Sequence, residues 1–300
     1  MKTIKKIVLA LVAVCTMLSI VTVQVAADTV YIVDGYSYNI LTNETIAICG
    51  WDNSSSEFVV PDSITGRKVF SIANKAFYGN QEITTVDFSA ATELWSIGYQ
   101  SFYKCTNLIS DILLPSSVES LGISAFEGCS SITSVDIQGS VSFIPAQCFY
   151  KCSSLATLTL SDGVESIDKF AFANCPSLEY VELSRNVISI SPYAFKNDSN
   201  LTLGVYYNSY AHQYATENNI PYVLVDGVKL GDADRDGVVS INDVTLIQRH
   251  LAELETLEGI YLYAADANRD GVLDISDATA IQMFLANFKV PYPIDEIITA

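Results

Sequence analysis

Six phenylalanines set the register of the middle of the chain. Phe77, Phe102, Phe126, Phe149, Phe172 and Phe195 follow one another at intervals of 25, 24, 23, 23 and 23 residues. Five positions before each stands an aliphatic residue: Ile72, Ile97, Leu121, Ile144, Ile167 and Ile190. Six positions after each stands another: Ile83, Leu108, Ile132, Leu155, Leu178 and Leu201. Three positions after each come Asn80, Cys105, Cys129, Cys152, Cys175 and Asp198. Four columns in one register mark a repeat whose single unit cannot bury its apolar face and must stack on its neighbours. Segments 132–137, 155–160 and 178–183 alternate apolar and polar residues. That alternation predicts short strands with one face inward. The Phe is expected in a tighter return turn, plugging the hollow of the coil. Thr85, Asp87, Ser134, Asp136, Thr157, Thr159, Tyr180 and Glu182 point the other way, and stacking would line them into a candidate recognition face.

The texture changes after Leu230. Residues 232–243 place oxygen side chains at loop positions 1, 3, 5, 9 and 12 (Asp232, Asp234, Asp236, Ser240, Asp243), with Gly237 at position 6. Residues 266–277 repeat the layout 34 positions later with Asp266, Asn268, Asp270, Asp274, Asp277 and Gly271. Alternate oxygens on a tight loop converge on one point, and Ca²⁺ takes about six to eight of them. Val238 and Val272 would add a backbone carbonyl at position 7. Each loop precedes an apolar-periodic stretch (Val244, Ile247, Leu251; Ala278, Ile281, Leu285), which predicts a helix.

Composition narrows the function. Sixteen Lys and Arg against 34 Asp and Glu give a net charge of −18, which argues against nucleic acid, whose phosphates require clustered cations. Residues 1–27 read as a secretory leader: Lys2, Lys5 and Lys6, an apolar run from Ile7 to Val25, then Val25-Ala26-Ala27 before Asp28. The expected location is therefore extracellular. Beyond the leader stand six cysteines: Cys49, Cys105, Cys129, Cys148, Cys152 and Cys175. Four of them share one repeat column, which leaves two readings: a ladder of buried thiols, since Cys is small and tolerates burial, or disulfides between adjacent rungs. His212 and His250 are the two histidines, and the chain has neither a Gly-x-Ser-x-Gly turn nor zinc-type Cys/His spacing. No catalytic constellation is expected.

The repeat pattern Ile-(x)4-Phe-(x)2-Cys-(x)2-Leu-(x)2-Val-x-Leu resembles the BspA-type leucine-rich repeat over residues 58–205. Residues 58–69 are similar to that family's first coil, and 208–223 to its closing helix-and-strand cap. The duplicated loop–helix unit resembles a type I dockerin. The implied fold class is α+β: a leucine-rich-repeat solenoid of short strands and turns, then a small all-α module with two EF-hand-like loop–helix repeats. The expected organisation is leader 1–27, solenoid with caps 28–225, linker 226–230, dockerin 231–288 and tail 289–300, the tail either packing beside the start of the dockerin or fraying. The dockerin resemblance implies two Ca²⁺ ions and a cohesin module of a scaffoldin as partner. It places the cohesin contacts at Ile241, Asn242, Arg249 and His250 in the first half and at Ile275, Ser276, Met283 and Phe284 in the second. The two halves differ at these positions, so one docking orientation is expected to dominate. The repeats are expected to recognise a protein or carbohydrate; the other reading is an enzyme, or a regulator of a peptidase or glycosidase, in polysaccharide degradation.

Overall fold

The computed structural model describes residues 5–8, 29–206, 209–225 and 227–298. The expected leader lies outside them, except that Lys5–Val8 pairs antiparallel with Thr29–Val33. The chain forms two compact units, one within 1–203 and 209–221, the other within 204–208 and 222–300.

The first unit is the stack of coils. Strands Thr29–Val33, Tyr36–Ile40 and Thr45–Trp51 open it as an antiparallel meander. Two parallel ladders follow, each adding one strand per coil. The broader carries Ile112–Leu114, Ser134–Ile137, Thr157–Leu160, Tyr180–Glu182 and Thr202–Val205. The narrower uses two-residue strands ending on the predicted aliphatic column, Ser96–Ile97 and Ser120–Leu121 in one sheet and Phe143–Ile144, Ser166–Ile167 and Ser189–Ile190 in another, with no pairing between the two sets among the described residues. Those short strands are not legible as alternation, because two residues carry no period. The broad strands also start two residues later than the pattern predicts. Leu155 and Leu178 donate their N–H to Cys152 and Cys175, three residues back, at 3.0 and 2.9 Å. Each is thus the last residue of a turn, although its side chain is buried like those of the strand.

The Phe column is the axis of the core. Successive rings from Phe77 to Phe195 lie 4.9, 5.1, 5.3, 5.5 and 5.5 Å apart and within 13° of parallel. Phe58, with Tyr36 and Trp51 against it, closes one end of the stack. At the other end helix α1 (Tyr210–Glu217) places buried Tyr214 6.5 Å from Phe195. Such a cap is needed because the last coil would otherwise present its apolar face to water. All six described cysteines are free thiols. Cys105, Cys129, Cys152 and Cys175 donate to the carbonyls of Phe77, Phe102, Phe126 and Phe149, one coil back, at 3.1, 3.0, 3.3 and 3.3 Å. The ladder is therefore thiol-to-carbonyl. Burial pushes the Cys129 and Cys152 thiols well above the ordinary thiol range.

The chain reverses around each Phe with left-handed residues. The position two after the Phe is Gly79, Lys104, Gly128, Lys151, Asn174 and Asn197, all with φ between 54° and 74°. Gly and Asn adopt that region at little cost. Lysine does so twice, at the ends of the turn where its side chain leaves the coil for solvent.

The second unit contains α2 (Ile241–Leu251), α3 (Gly259–Ala265) and α4 (Ile275–Leu285). Val244, Ile247, Leu257, Ala265, Ala278 and Ile281 form its core with Ala233, Val239 and Ala267. Leu251 and Leu285, the third members of the predicted apolar periods, lie in the last helical turns and are 38% and 37% exposed. The segments expected as linker and tail are built into this unit. Val228–Lys229 pairs antiparallel with Ile297–Ile298, so a two-stranded ladder flanks the helical 231–288 segment. Leu230 N–H donates to the Glu296 carbonyl at 3.0 Å, and Lys229 meets Asp295 at 2.7 Å. Ile294 is buried in the core beside Gly231. Gly231 has φ +91°, and a Cβ there would meet Ile294 Cγ2 at 3.0 Å, so the tail seats only against glycine.

Candidate calcium loops and docking surfaces

Both acidic loops are held by their own side chains. In the first, Asp232 Oδ2 accepts from Gly237 N–H at 3.0 Å, Asp234 Oδ1 from Asp236 at 3.0 Å and Asp236 Oδ1 from Val238 at 2.8 Å. In the second, Asp266 Oδ2 accepts from Gly271 at 2.9 Å, Asn268 Oδ1 from Asp270 at 2.9 Å and Asp270 Oδ1 from Val272 at 2.9 Å. Gly237 and Gly271 have φ of +92° and +84°, with open space where a Cβ would stand; backbone conformation, not room, requires glycine there.

The position-9 and position-12 residues also cap the helices. Ser240 accepts from Asn242 N–H, while Asp243 accepts from Ser240 N–H at 2.7 Å and Asp234 N–H at 3.0 Å. Asp274 and Asp277 repeat this on Ser276, Asp274 and Asn268. Each pair is a capping box, so one set of oxygens ends the loop and starts the helix. The bonds to Ser276 hold the Asp274 carboxyl below its ordinary range. Burial raises those of Asp243 and Asp277, against the amide bonds that lower them.

The first loop fits a hard divalent cation. Carboxylate oxygens of Asp232, Asp234 and Asp236 lie within 4.8 Å of one another. Asp232 is buried, and its Oδ1 has no hydrogen-bond partner. Burial raises its carboxyl pKa, Gly237 N–H pulls it back, and repulsion from Asp243, Asp234 and Asp236 raises it further. A cation at the convergence point would supply the missing partner and relieve the repulsion, and an all-oxygen donor set suits Ca²⁺. The second loop offers the same layout with one charge fewer at position 3.

Of the expected docking residues, Ile241 and Ile275 are 59% and 60% exposed at equivalent places on α2 and α4, beside exposed Asn242 and Ser276. Thr245 and Thr279 bond back to the carbonyls of these isoleucines in the same way. The pairs at the far ends differ in their engagement. His250 Nδ1 accepts from Leu257 N–H at 3.0 Å, and Phe284 packs partly against the core. Both side chains are half-buried. Arg249, paired with Glu255 at 2.9 Å, and Met283 remain outward. Helix α3 escaped the sequence reading, although Ile260, Ala264 and Ala265 sit at helical spacing.

On the solenoid, register aligns Ser134, Thr157 and Tyr180 in one outward row and Asp136 with Thr159 in the next. Thr157, Thr159, Tyr180 and Glu182 line a shallow groove of about 480 Å³ with Asp162 and Ser184. Thr85 and Asp87 sit on a separate two-strand ladder with Glu57–Val59. The ladder breaks there because Val86 N–H donates to the Ser110 hydroxyl. Leu113, opposite Asp136, is an exposed apolar member of the face. It lies in an Ile-Leu-Leu run without alternation, which hid it in the sequence.

A stack of parallel coils followed by paired acidic loop–helix units defines a repeat-bearing docking protein. Residues 70–202 match the BspA type Leucine rich repeat region in six copies, and residues 230–286 match the Dockerin type I domain. The chain thus carries a BspA-type leucine-rich repeat region followed by a type I dockerin domain. Both are non-catalytic module types; type I dockerins are in general calcium-binding, and a dockerin implies a cohesin partner. Solved structures similar to the repeats include a leucine rich cell surface protein from Faecalibacterium prausnitzii A2-165 (23% identity, TM-score 0.46, 60% of this chain and 55% of that one). They also include the leucine-rich repeat protein of T. pallidum (26% identity, TM-score 0.41, 56% and 68%). No curated protein matches the chain. Among the described residues, no helix is long and apolar enough to cross a membrane.

Proposed function

We propose that the protein is a secreted, non-catalytic adaptor. Two Ca²⁺ ions, one per acidic loop, set α2 and α4 for docking on a scaffoldin cohesin, and the coils present a recognition surface. The observation that carries this reading is the convergence of Asp232, Asp234 and Asp236 around a buried oxygen without a partner, in a loop whose layout recurs at 266–277. Asp232, Asp234, Asp236, Ser240, Asp243 and the Val238 carbonyl would hold one ion; Asp266, Asn268, Asp270, Asp274, Asp277 and the Val272 carbonyl the other. Bound calcium would neutralise the clustered carboxylates and tie each loop to its helix start, so part of its binding free energy is folding free energy. The loop contacts Ile241–Asn242 and Ile275–Ser276 are presented alike, so selection between orientations falls to Arg249 against Met283.

Calorimetric titration of the calcium-stripped full chain tests the reading. Two ions should bind, Asp232→Ala and Asp266→Ala should each remove one, and chelation should release the protein from a cohesin column. Retention on that column in excess chelator would refute it. Arg249→Ala and Met283→Ala should lower cohesin affinity unequally.

A further inference from the structure

We propose that the return-turn edge of the solenoid is a binding site for a linear acidic polysaccharide of the polyuronate class. This edge is distinct from the strand face that carries Thr157 and Tyr180. Five of the eight lysines beyond residue 27 stand on it: Lys75, Lys104, Lys151, Lys169 and Lys196. Each lies over an aromatic ring. Lys75 Nζ is 5.6 Å from the Tyr78 centroid, Lys104 5.2 Å from Tyr103, Lys151 5.1 Å from Tyr150, Lys169 5.0 Å from Phe170 and Lys196 5.4 Å from Tyr193. The rings run from coil to coil, Tyr78 on Tyr103 at 4.7 Å and Tyr150, Phe170 and Tyr193 at 5.9 and 5.6 Å. Among the described residues none of the five lysines meets a carboxylate at ion-pair distance.

A groove of about 580 Å³ follows the same edge across the coils. Lys104, Lys151, Thr106, Ser130, Ser153 and Asn174 are among its walls, and no carboxylate lines it. Gly128 keeps its middle open: it stands between the two lysines at a left-handed position where a Cβ would press on Lys104. Lysine–tyrosine contacts on a surface ordinarily do no more than steady each other. Here they gather five of the eight lysines beyond residue 27 onto one edge, beside a carboxylate-free groove lined with hydroxyls and amides. Unpaired cations at intervals complement a polymer with one carboxylate per unit. Tyr78 and Tyr193, the exposed members of the ring row, offer apolar surface to the C–H groups of sugars beside the groove, and hydroxyls and amides within it take their OH groups. The coil step, 5.1 and 5.3 Å at the Phe rings between Lys104 and Lys151, is comparable with one pyranose unit of an extended chain. A nucleic acid or acidic protein would share the charge but not the pattern of small hydroxyl side chains between the cations.

The test measures binding of the full chain, in excess chelator, to de-esterified polygalacturonate. This makes the result independent of calcium loading and of cohesin docking. Lysines 104 and 151 are replaced by asparagine, the residue that the same left-handed column carries at 174 and 197, so the turn is preserved. Lys104→Asn and Lys151→Asn should each weaken binding about two- to fivefold, as expected for exposed ion pairs, and the pair about tenfold. Glu127→Gln, which removes the acid from the ring column in the third coil, should tighten it. The fully methyl-esterified polymer should bind at least tenfold more weakly. Equal binding of both polymers, unchanged binding of the double variant, no binding at all, or preference for heparin, DNA or an acidic protein would each overturn the proposal.

Discussion

Replacing Phe126 by alanine removes the middle of the ring stack. Its ring is fully buried and lies 5.1 and 5.3 Å from Phe102 and Phe149, within 4° and 2° of parallel. A buried Phe→Ala change costs about 3–5 kcal/mol, of which two ring pairs account for about 0.5–1.5 kcal/mol each. Phe195 has one parallel neighbour at 5.5 Å and a tilted Tyr214 at 6.5 Å. Phe195→Ala should therefore cost about 1 kcal/mol less than Phe126→Ala. Phe126→Leu keeps much of the buried area and should lose mainly the ring pairs. Because each coil touches only its neighbours, a hole at Phe126 also weakens coupling between the halves of the stack. The two tryptophans, Trp51 and Trp95, both precede it. Urea unfolding followed by Trp fluorescence reads the early coils, and circular dichroism reads all of them. The two midpoints should separate in Phe126→Ala and coincide in Phe195→Ala. A loss below about 1 kcal/mol for Phe126→Ala, far under the buried Phe→Ala range, or a larger loss at Phe195, would refute the stacked-core account.

Asp198 ends the Cys column, and burial pushes its carboxyl pKa up to about 7, with Cys175 N–H pulling it down. A folded-state pKa above the ordinary value gives stability that is full at low pH and lost as pH rises through about 7, so the solenoid should melt lower at pH 8 than at pH 5. Asp198→Asn, which keeps the bond to Cys175 N–H, should flatten that slope; an unchanged slope would exclude Asp198 as its source. Ile294→Ala should destabilise the calcium-loaded C-terminal unit by about 2–5 kcal/mol, read from its thermal transition, whereas a free tail would give no change. Under native conditions a thiol reagent should reach half-buried Cys49 before the other five, which should titrate only in denaturant; rapid modification of all six would contradict the buried ladder.

Much of the candidate site was legible in the sequence because its chemistry is local. Twelve consecutive residues hold nearly every oxygen of each loop, and glycine at position 6 announces the bend. The number of coils, the Phe axis and the Cys column were equally legible, since a unit that must stack on its copy repeats its apolar positions. Other features depend on residues far apart in sequence. Val228–Lys229 and Ile297–Ile298 look like linker and tail until they pair across the module. His250 and Phe284 gain contacts within the module, to Leu257 N–H and to the core, that the sequence does not show. Lys104 and Lys151 are 47 positions apart, and neither belongs to a motif. Only the winding of the coils, which converts a 23-residue period into a step of about 5 Å, sets them along one groove. Periodicity records which side chains must be buried together; which exposed groups become neighbours is decided by the pitch of the stack.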